Sequence, residues 1–169
     1  KRLSKNPNTF LSSGGSGTMG YEVPAALGAQ VGKPDALVWS IAGDGGFQMT
    51  LSELATIVEN KLPVKIAILN NGFLGMVRQW QEVVFKGAYV ATEYSGNPDF
   101  VLLAEAYGIK GIRVTSKDQI KGAIKEANAH PGPVLVDFVT EKEENVYPMI
   151  PSGQSVNEMI EEPITEYVP

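Results

Sequence analysis

Two apolar, β-rich runs end on polar residues of a particular kind. Leu37-Val38-Trp39-Ser40-Ile41-Ala42 leads into Gly43-Asp44-Gly45, and Val64-Lys65-Ile66-Ala67-Ile68-Leu69 leads into Asn70-Asn71. Short, nearly continuous apolar runs read as parallel strands buried on both faces. In an open α/β sheet, ligands bind outside the carboxyl ends of such strands. A carboxylate and a carboxamide delivered there by neighbouring strands can share one hard cation, and the glycines around Asp44 let a phosphate approach the backbone. Taken separately, Gly-Asp-Gly-Gly and Asn-Asn-Gly are ordinary turn formers. Taken together, after two buried strands with a helix between them, they point to a metal-bridged diphosphate site.

Magnesium suits this chemistry because it takes six oxygens, few of them from protein and the rest from phosphate and water. Asp44 and Asn71 are the candidate side-chain ligands. Cysteine is absent, which excludes disulfides, zinc-thiolate sites and thiol nucleophiles. His130, beside Pro131-Gly132, reads as a surface residue rather than a base.

The rest of the chain supplies the frame. Thr9 to Ser13 reads as a short strand before the turn Gly14-Gly15-Ser16-Gly17-Thr18-Met19-Gly20. A small-residue helix follows over Val23 to Val31, with Pro24 tolerated in its first turn. Ser52 to Asn60 forms a helix capped by Ser52. Leu74 to Val84 is helical with Met76, Val77, Trp80 and Val84 on one face, and Gly87 to Gly96 is loop. Pro98 to Tyr107 is a helix stopped by Gly108, Ile109 to Val114 a strand, Lys117 to Ala129 a helix and Val134 to Val139 a strand. This alternation predicts an α/β fold, a three-layer α/β/α sandwich around a mainly parallel central sheet.

Two parts are expected: residues 1–140 as the ligand-binding domain and 141–169 as an acidic, proline-containing tail packed on it. The formal charge of −5 resides in that tail, where seven glutamates face one lysine and leave residues 1–140 at +1. No basic footprint for nucleic acid is present. No apolar stretch approaches a membrane span, and Lys1-Arg2-Leu3-Ser4-Lys5 has no signal-peptide core, so a cytoplasmic protein is expected. A dinucleotide site fits poorly, because the glycine-rich turn at 14–20 is not followed by an acidic residue placed to hold a ribose.

Gly-Asp-Gly followed after 24 residues by Asn-Asn resembles the thiamine diphosphate motif. The flanking strings narrow the resemblance. Phe10-Leu11-Ser12-Ser13-Gly14-Gly15, Gly43-Asp44-Gly45-Gly46-Phe47, Gly75-Met76-Val77-Arg78-Gln79-Trp80 and Tyr147-Pro148-Met149-Ile150-Pro151-Ser152-Gly153 are similar to the catalytic subunit of the acetohydroxyacid synthase (acetolactate synthase) family. The resemblance covers nearly the whole chain, and it implies the family's thiamine diphosphate-binding domain of pyrophosphate type.

It also implies roles. Asp44, Asn71 and the backbone carbonyl of Phe73 would bind magnesium. Gly43, Gly45 and Gly46 would admit the diphosphate, Gly17 and Met19 would hold the aminopyrimidine, and Met49 would pack on the cofactor. Met76 would touch the cofactor and, with Trp80, line the pocket for the second 2-keto acid. The alternative for Met76 and Trp80 is core packing at i, i+4. Ser16 and Glu22 depart from the family, which usually has leucine and glycine there.

The implied reaction joins pyruvate, with loss of CO2, to a second pyruvate or to 2-ketobutyrate, in branched-chain amino acid synthesis. The activating carboxylate and the family's FAD site have no counterpart here, so no catalytic residue is assigned and the chain alone is expected to be inactive. Its expected partners are further domains of the same subunit, a homodimer or tetramer, and a regulatory subunit. Two other readings remain: the pyrophosphate half of a split thiamine-dependent keto-acid decarboxylase, and a non-catalytic metal-diphosphate binding module.

Overall fold

The structure, a computed structural model, describes residues 7–162. They divide into two compact units. One comprises residues 7–70 with Asn97–Thr140, and the other Asn71–Gly96 with residues 141–162.

The first unit is built on a four-stranded parallel sheet: β1 (Trp39–Gly43), β2 (Lys65–Asn70), β3 (Lys110–Val114) and β4 (Val134–Val139), in the spatial order β1-β2-β4-β3. Gly43 pairs with Leu69, and Asn70 with Val139, so three carboxyl ends finish level at one end of the sheet. Side chains alternate between faces along each strand. Ile66, Ile68 and Leu135 pack with helices α1 (Glu22–Gly32), α2 (Asp44–Met49), α3 (Glu53–Glu59) and α5 (Phe100–Ala106). Val134 and Val136 pack on the opposite face with Ala123 and Ala127 of α6 (Ile120–Ala129). The expected three layers and parallel sheet are therefore present.

Local chemistry accounts for most of the boundaries. Pro24 lies in the first turn of α1, where its missing N–H had no intrahelical partner. Gln30, buried at the end of that helix, donates to the carbonyls of Lys33, Pro34 and Ala36 and ties down the turn before β1. Asp99 caps α5, its Oδ1 accepting from the N–H groups of Val101 and Leu102 at 2.9 and 3.1 Å. Gly108 takes φ +73° after the helix, a conformation that favours glycine.

Two expectations fail locally. Thr9 to Ser13 forms no strand: it has no place in the sheet ladder, and Phe10 and Leu11 are largely exposed. Ser52 makes no side-chain cap; its own backbone is already helical and the preceding turn supplies the hydrogen bonds. The chain passes from β1 directly into the short helix α2, which an acidic first residue favours.

In the second unit, α4 (Gly75–Val84) follows a short bridge between Phe73 and Glu93. Its buried side chains are the polar Arg78 and Gln79, whereas Met76, Val77, Trp80 and Val84 are exposed. Burial of polar groups requires partners. Arg78 has Glu82 at 2.9 Å, Glu143 at 3.5 Å and the Tyr89 ring 4.7 Å away. Gln79 exchanges two hydrogen bonds with the backbone of Val146, at 2.8 and 2.9 Å.

Candidate functional site

Asp44 stands at the carboxyl end of β1 and opens α2, with only 1 % of its surface exposed. Gly45 and Gly46 follow it, also buried, in the first turn. The N–H groups of a first turn have no carbonyl ahead of them in the helix. A buried carboxylate and amide N–H groups with no intrahelical acceptor thus lie side by side in the sequence.

The Asp44 carboxylate belongs to a chain of polar side chains. Its Oδ2 accepts from Asn97 Nδ2 at 2.6 Å, and the same nitrogen donates to Asn70 Oδ1 at 3.3 Å. Asn97 Oδ1 accepts from Gln48 Nε2 at 3.0 Å. Asn70 Nδ2 donates to Asp137 Oδ1 at 3.0 Å, and Arg113 Nε donates to Asp137 Oδ2 at 3.2 Å. Arg113 also donates to Asp99 Oδ1. That hydrogen bond, assisted by the Leu102 N–H, holds the Asp99 carboxyl below the usual range, and Asp99 in turn holds the Arg113 guanidinium above its ordinary value. Asn97 escapes sequence reasoning, because Asn-Pro-Asp before a helix reads as capping and its partner Asp44 lies 53 residues away.

The glycine-rich turn packs on α2. Gly17 sits at φ +60° and its N–H donates to Ser13 O at 2.7 Å. At Gly20, also of positive φ, a Cβ would come within 3.1 Å of Met49 Cβ and 3.2 Å of Thr50 Cγ2, so only glycine permits this approach. The turn carrying Gly17 and Met19 and the helix carrying Gly45, Gly46 and Met49 thus belong to one packed arrangement. Met19 and Met49 remain exposed, as does Gly43. A cleft of about 690 Å³ lies against α1 and β1; of the expected cofactor contacts only Gly17 lines it.

Of the two departures, Ser16 is exposed. Glu22 aims its carboxylate at Gly46, with Oε1 3.2 Å from where a Cβ would stand, and its Oε2 is buried without a hydrogen-bond partner.

In the second unit, Asn71 Oδ1 accepts from the Phe73 N–H at 3.0 Å. The bridge to Glu93 is made by Leu74 N to Thr92 O and by Tyr94 N to Gly72 O, leaving the Phe73 carbonyl outside both bonds. A Cβ at Gly75 would meet Asn71 Nδ2 at 3.2 Å, so α4 begins on a residue small enough to lie beside that amide. Met76 is 52 % and Trp80 36 % exposed, which sets aside core packing as their role in the described chain.

Among the described residues no three His, Cys, Asp or Glu side chains gather to hold a metal ion, and no helix is long and apolar enough to cross a membrane.

A parallel sheet with Asp44 at a strand end, next to glycines in a helical first turn, is the setting of a diphosphate-binding α/β domain. Residues 2–138 match the family described as thiamine pyrophosphate enzyme, C-terminal TPP binding domain, and the chain belongs to that family. It is 46 % identical over 155 residues to the acetolactate synthase isozyme 2 large subunit of Escherichia coli, covering 92 % of this chain and 28 % of that one. It is 48 % identical over 156 residues to the mitochondrial acetolactate synthase catalytic subunit of Saccharomyces cerevisiae, covering 92 % and 23 %. Among solved structures, the thiamine diphosphate-dependent 4-hydroxybenzoylformate decarboxylase of Rhodococcus jostii RHA1 matches with a TM-score of 0.71 and 36 % identity, over 77 % of this chain and 24 % of that one. The chain thus spans about a quarter of the length of these relatives.

Proposed function

We propose that this chain is the metal- and diphosphate-binding part of an acetolactate synthase, which condenses two pyruvates, or pyruvate and 2-ketobutyrate, to a 2-aceto-2-hydroxy acid with loss of CO2. Identity of 46 to 48 % to acetolactate synthases against 36 % to a keto-acid decarboxylase favours this substrate class over simple decarboxylation. The observation that carries the site is Asp44, a buried carboxylate at a strand end with Gly45 and Gly46 next in the chain.

The donors suit magnesium. Asp44 offers carboxylate oxygen, Asn71 a carboxamide oxygen and Phe73 a backbone carbonyl, all hard ligands. Asn71 Oδ1 accepts one backbone N–H and keeps a second lone pair. Thiamine diphosphate, when bound, supplies the stabilised carbanion that keto-acid condensation requires.

The chain's own residues bind and orient. Asp44, Asn71 and Phe73 hold the metal, the N–H groups of Gly45 and Gly46 donate to the diphosphate, and Gly43 keeps the approach clear of side chains. Gly17 and Met19 engage the aminopyrimidine through the main chain, with Met49 packed against the cofactor. Met76 and Trp80 shape the pocket for the acceptor keto acid. The activating carboxylate and an FAD site belong to other parts of the parent enzyme, which we place in an oligomer with a regulatory subunit.

Calorimetric titration of thiamine diphosphate into wild type and Asp44→Ala, with and without magnesium, tests the site. Magnesium-dependent binding in wild type, weakened at least 100-fold in the variant, is expected. Identical titrations of the two proteins would sink the assignment.

A further inference from the structure

We infer that Asn97 is a positioning residue for the Asp44 carboxylate, held in place by Gln48 and by Asn70 with Asp137. The inference rests on the proposed reading of Asp44 as a magnesium ligand and extends it to side chains that touch no ligand.

The argument is one of hydrogen-bond direction. A carboxamide has one acceptor oxygen and one two-proton donor nitrogen, and the two ends cannot exchange roles. Asn97 accepts from Gln48 at Oδ1 and donates from Nδ2 to both Asp44 Oδ2 and Asn70 Oδ1. Asn70 accepts from Asn97 and donates to Asp137. Every bond therefore runs donor to acceptor without conflict, and a flip of either amide breaks at least two of them. Asp137, 1 % exposed, closes the chain from β4 and is itself held by Arg113 from β3. Asp44 is thus braced by elements from across the sheet, and at 2.6 Å its bond to Asn97 has the short length of a charge-assisted contact.

A carboxylate that must present one oxygen to a small, strictly octahedral cation gains from having the other fixed. Partners of this kind typically contribute 10- to 100-fold to metal affinity. Asn97 does this without adding charge, which leaves the Asp44 charge for the metal.

The test measures, for the 169-residue chain, the magnesium concentration that half-restores thiamine diphosphate binding, together with the melting temperature in the absence of metal. Asn97→Ala is expected to raise the half-restoring concentration about 10- to 100-fold, with binding recovered at high magnesium. A purely structural Asn97 lowers the melting temperature and leaves the half-restoring concentration at the wild-type value, and that result overturns the inference. Asp44→Ala runs alongside. If it retains magnesium dependence, or if wild type shows none, the site itself is misassigned and the inference goes with it. If Asp44→Ala loses the dependence while Asn97→Ala keeps the wild-type value, only the inference fails.

Should Asn97→Ala not fold, the wild-type protein still decides by NMR. The side-chain amide resonances of Asn97 are expected to move with the same magnesium midpoint, because a cation on Asp44 weakens its pull on those protons. Resonances unmoved at saturation overturn the proposal.

Discussion

Gln79 shows how a single side chain organises the smaller unit. With 1 % exposure, its carboxamide receives the Val146 N–H at Oε1 and donates to the Val146 carbonyl from Nε2, so it takes the place of a neighbouring strand. Val146 is itself exposed, so its freed backbone groups can turn to water, and each lost hydrogen bond costs about 0.5–1.5 kcal/mol. Gln79→Ala is expected to destabilise the protein by about that amount for each bond. Faster hydrogen exchange at the Val146 amide, with little change at amides of β2 and β4, is the matching local readout. Exchange at Val146 unchanged in the variant would show that the paired bonds do not hold the segment. Contacts of this kind stay hidden in a sequence, because Gln79 and Val146 are 67 residues apart and a carboxamide carries no periodic pattern. Asn97 with Asp44 is the same case.

Elements were legible where a local pattern and the tertiary fold agree. β2 and β4 were readable because their apolar runs are largely buried, and α5 from the Gly108 stop. β1 was found in place but is not buried on both faces as expected, because at the sheet edge it covers Ser40 and Ala42 and leaves Ile41 exposed. α2 was not, since Gly45 and Gly46 are poor helix formers and only packing makes a helix there. The exposed side of α4 was misleading for the opposite reason: its apolar stripe is real, yet the paired Arg78 and Gln79 are the buried residues.

Two glycines separate propensity from packing at this scale. Gly28 lies inside α1 with open space where a Cβ would stand, so Gly28→Ala is expected to stabilise by about 0.5–1 kcal/mol. Gly111 in β3 lies under α5, where a Cβ would come within 2.8 Å of Val101 Cγ1 and 3.0 Å of its carbonyl oxygen. Backbone yields poorly, and Gly111→Ala is expected to cost about 1–3 kcal/mol. Chemical denaturation of both variants reads the opposite signs, and a shared sign would show that the α5–β3 spacing is looser than described.

At the scale of the molecule, the sheet order β1-β2-β4-β3 brings Asp44, Asn70 and Asp137 into one hydrogen-bonded chain from three different strands or strand ends. A site assembled this way is suited to binding, and binding alone does not make a catalyst. Thiamine chemistry also needs a carboxylate on the pyrimidine ring, and no residue of this chain matches that role in the family it resembles. Asp44 and Asp137 are already committed to Asn97, Asn70 and Arg113. The purified 169-residue chain, supplied with magnesium, thiamine diphosphate and pyruvate, is therefore expected to form no acetolactate above a protein-free blank, even under conditions where calorimetry shows the cofactor bound. Acetolactate accumulating in proportion to protein would mean that an acidic group within this chain activates the cofactor. Glu22, whose carboxylate already points at Gly46, would then be the first residue to replace with glutamine.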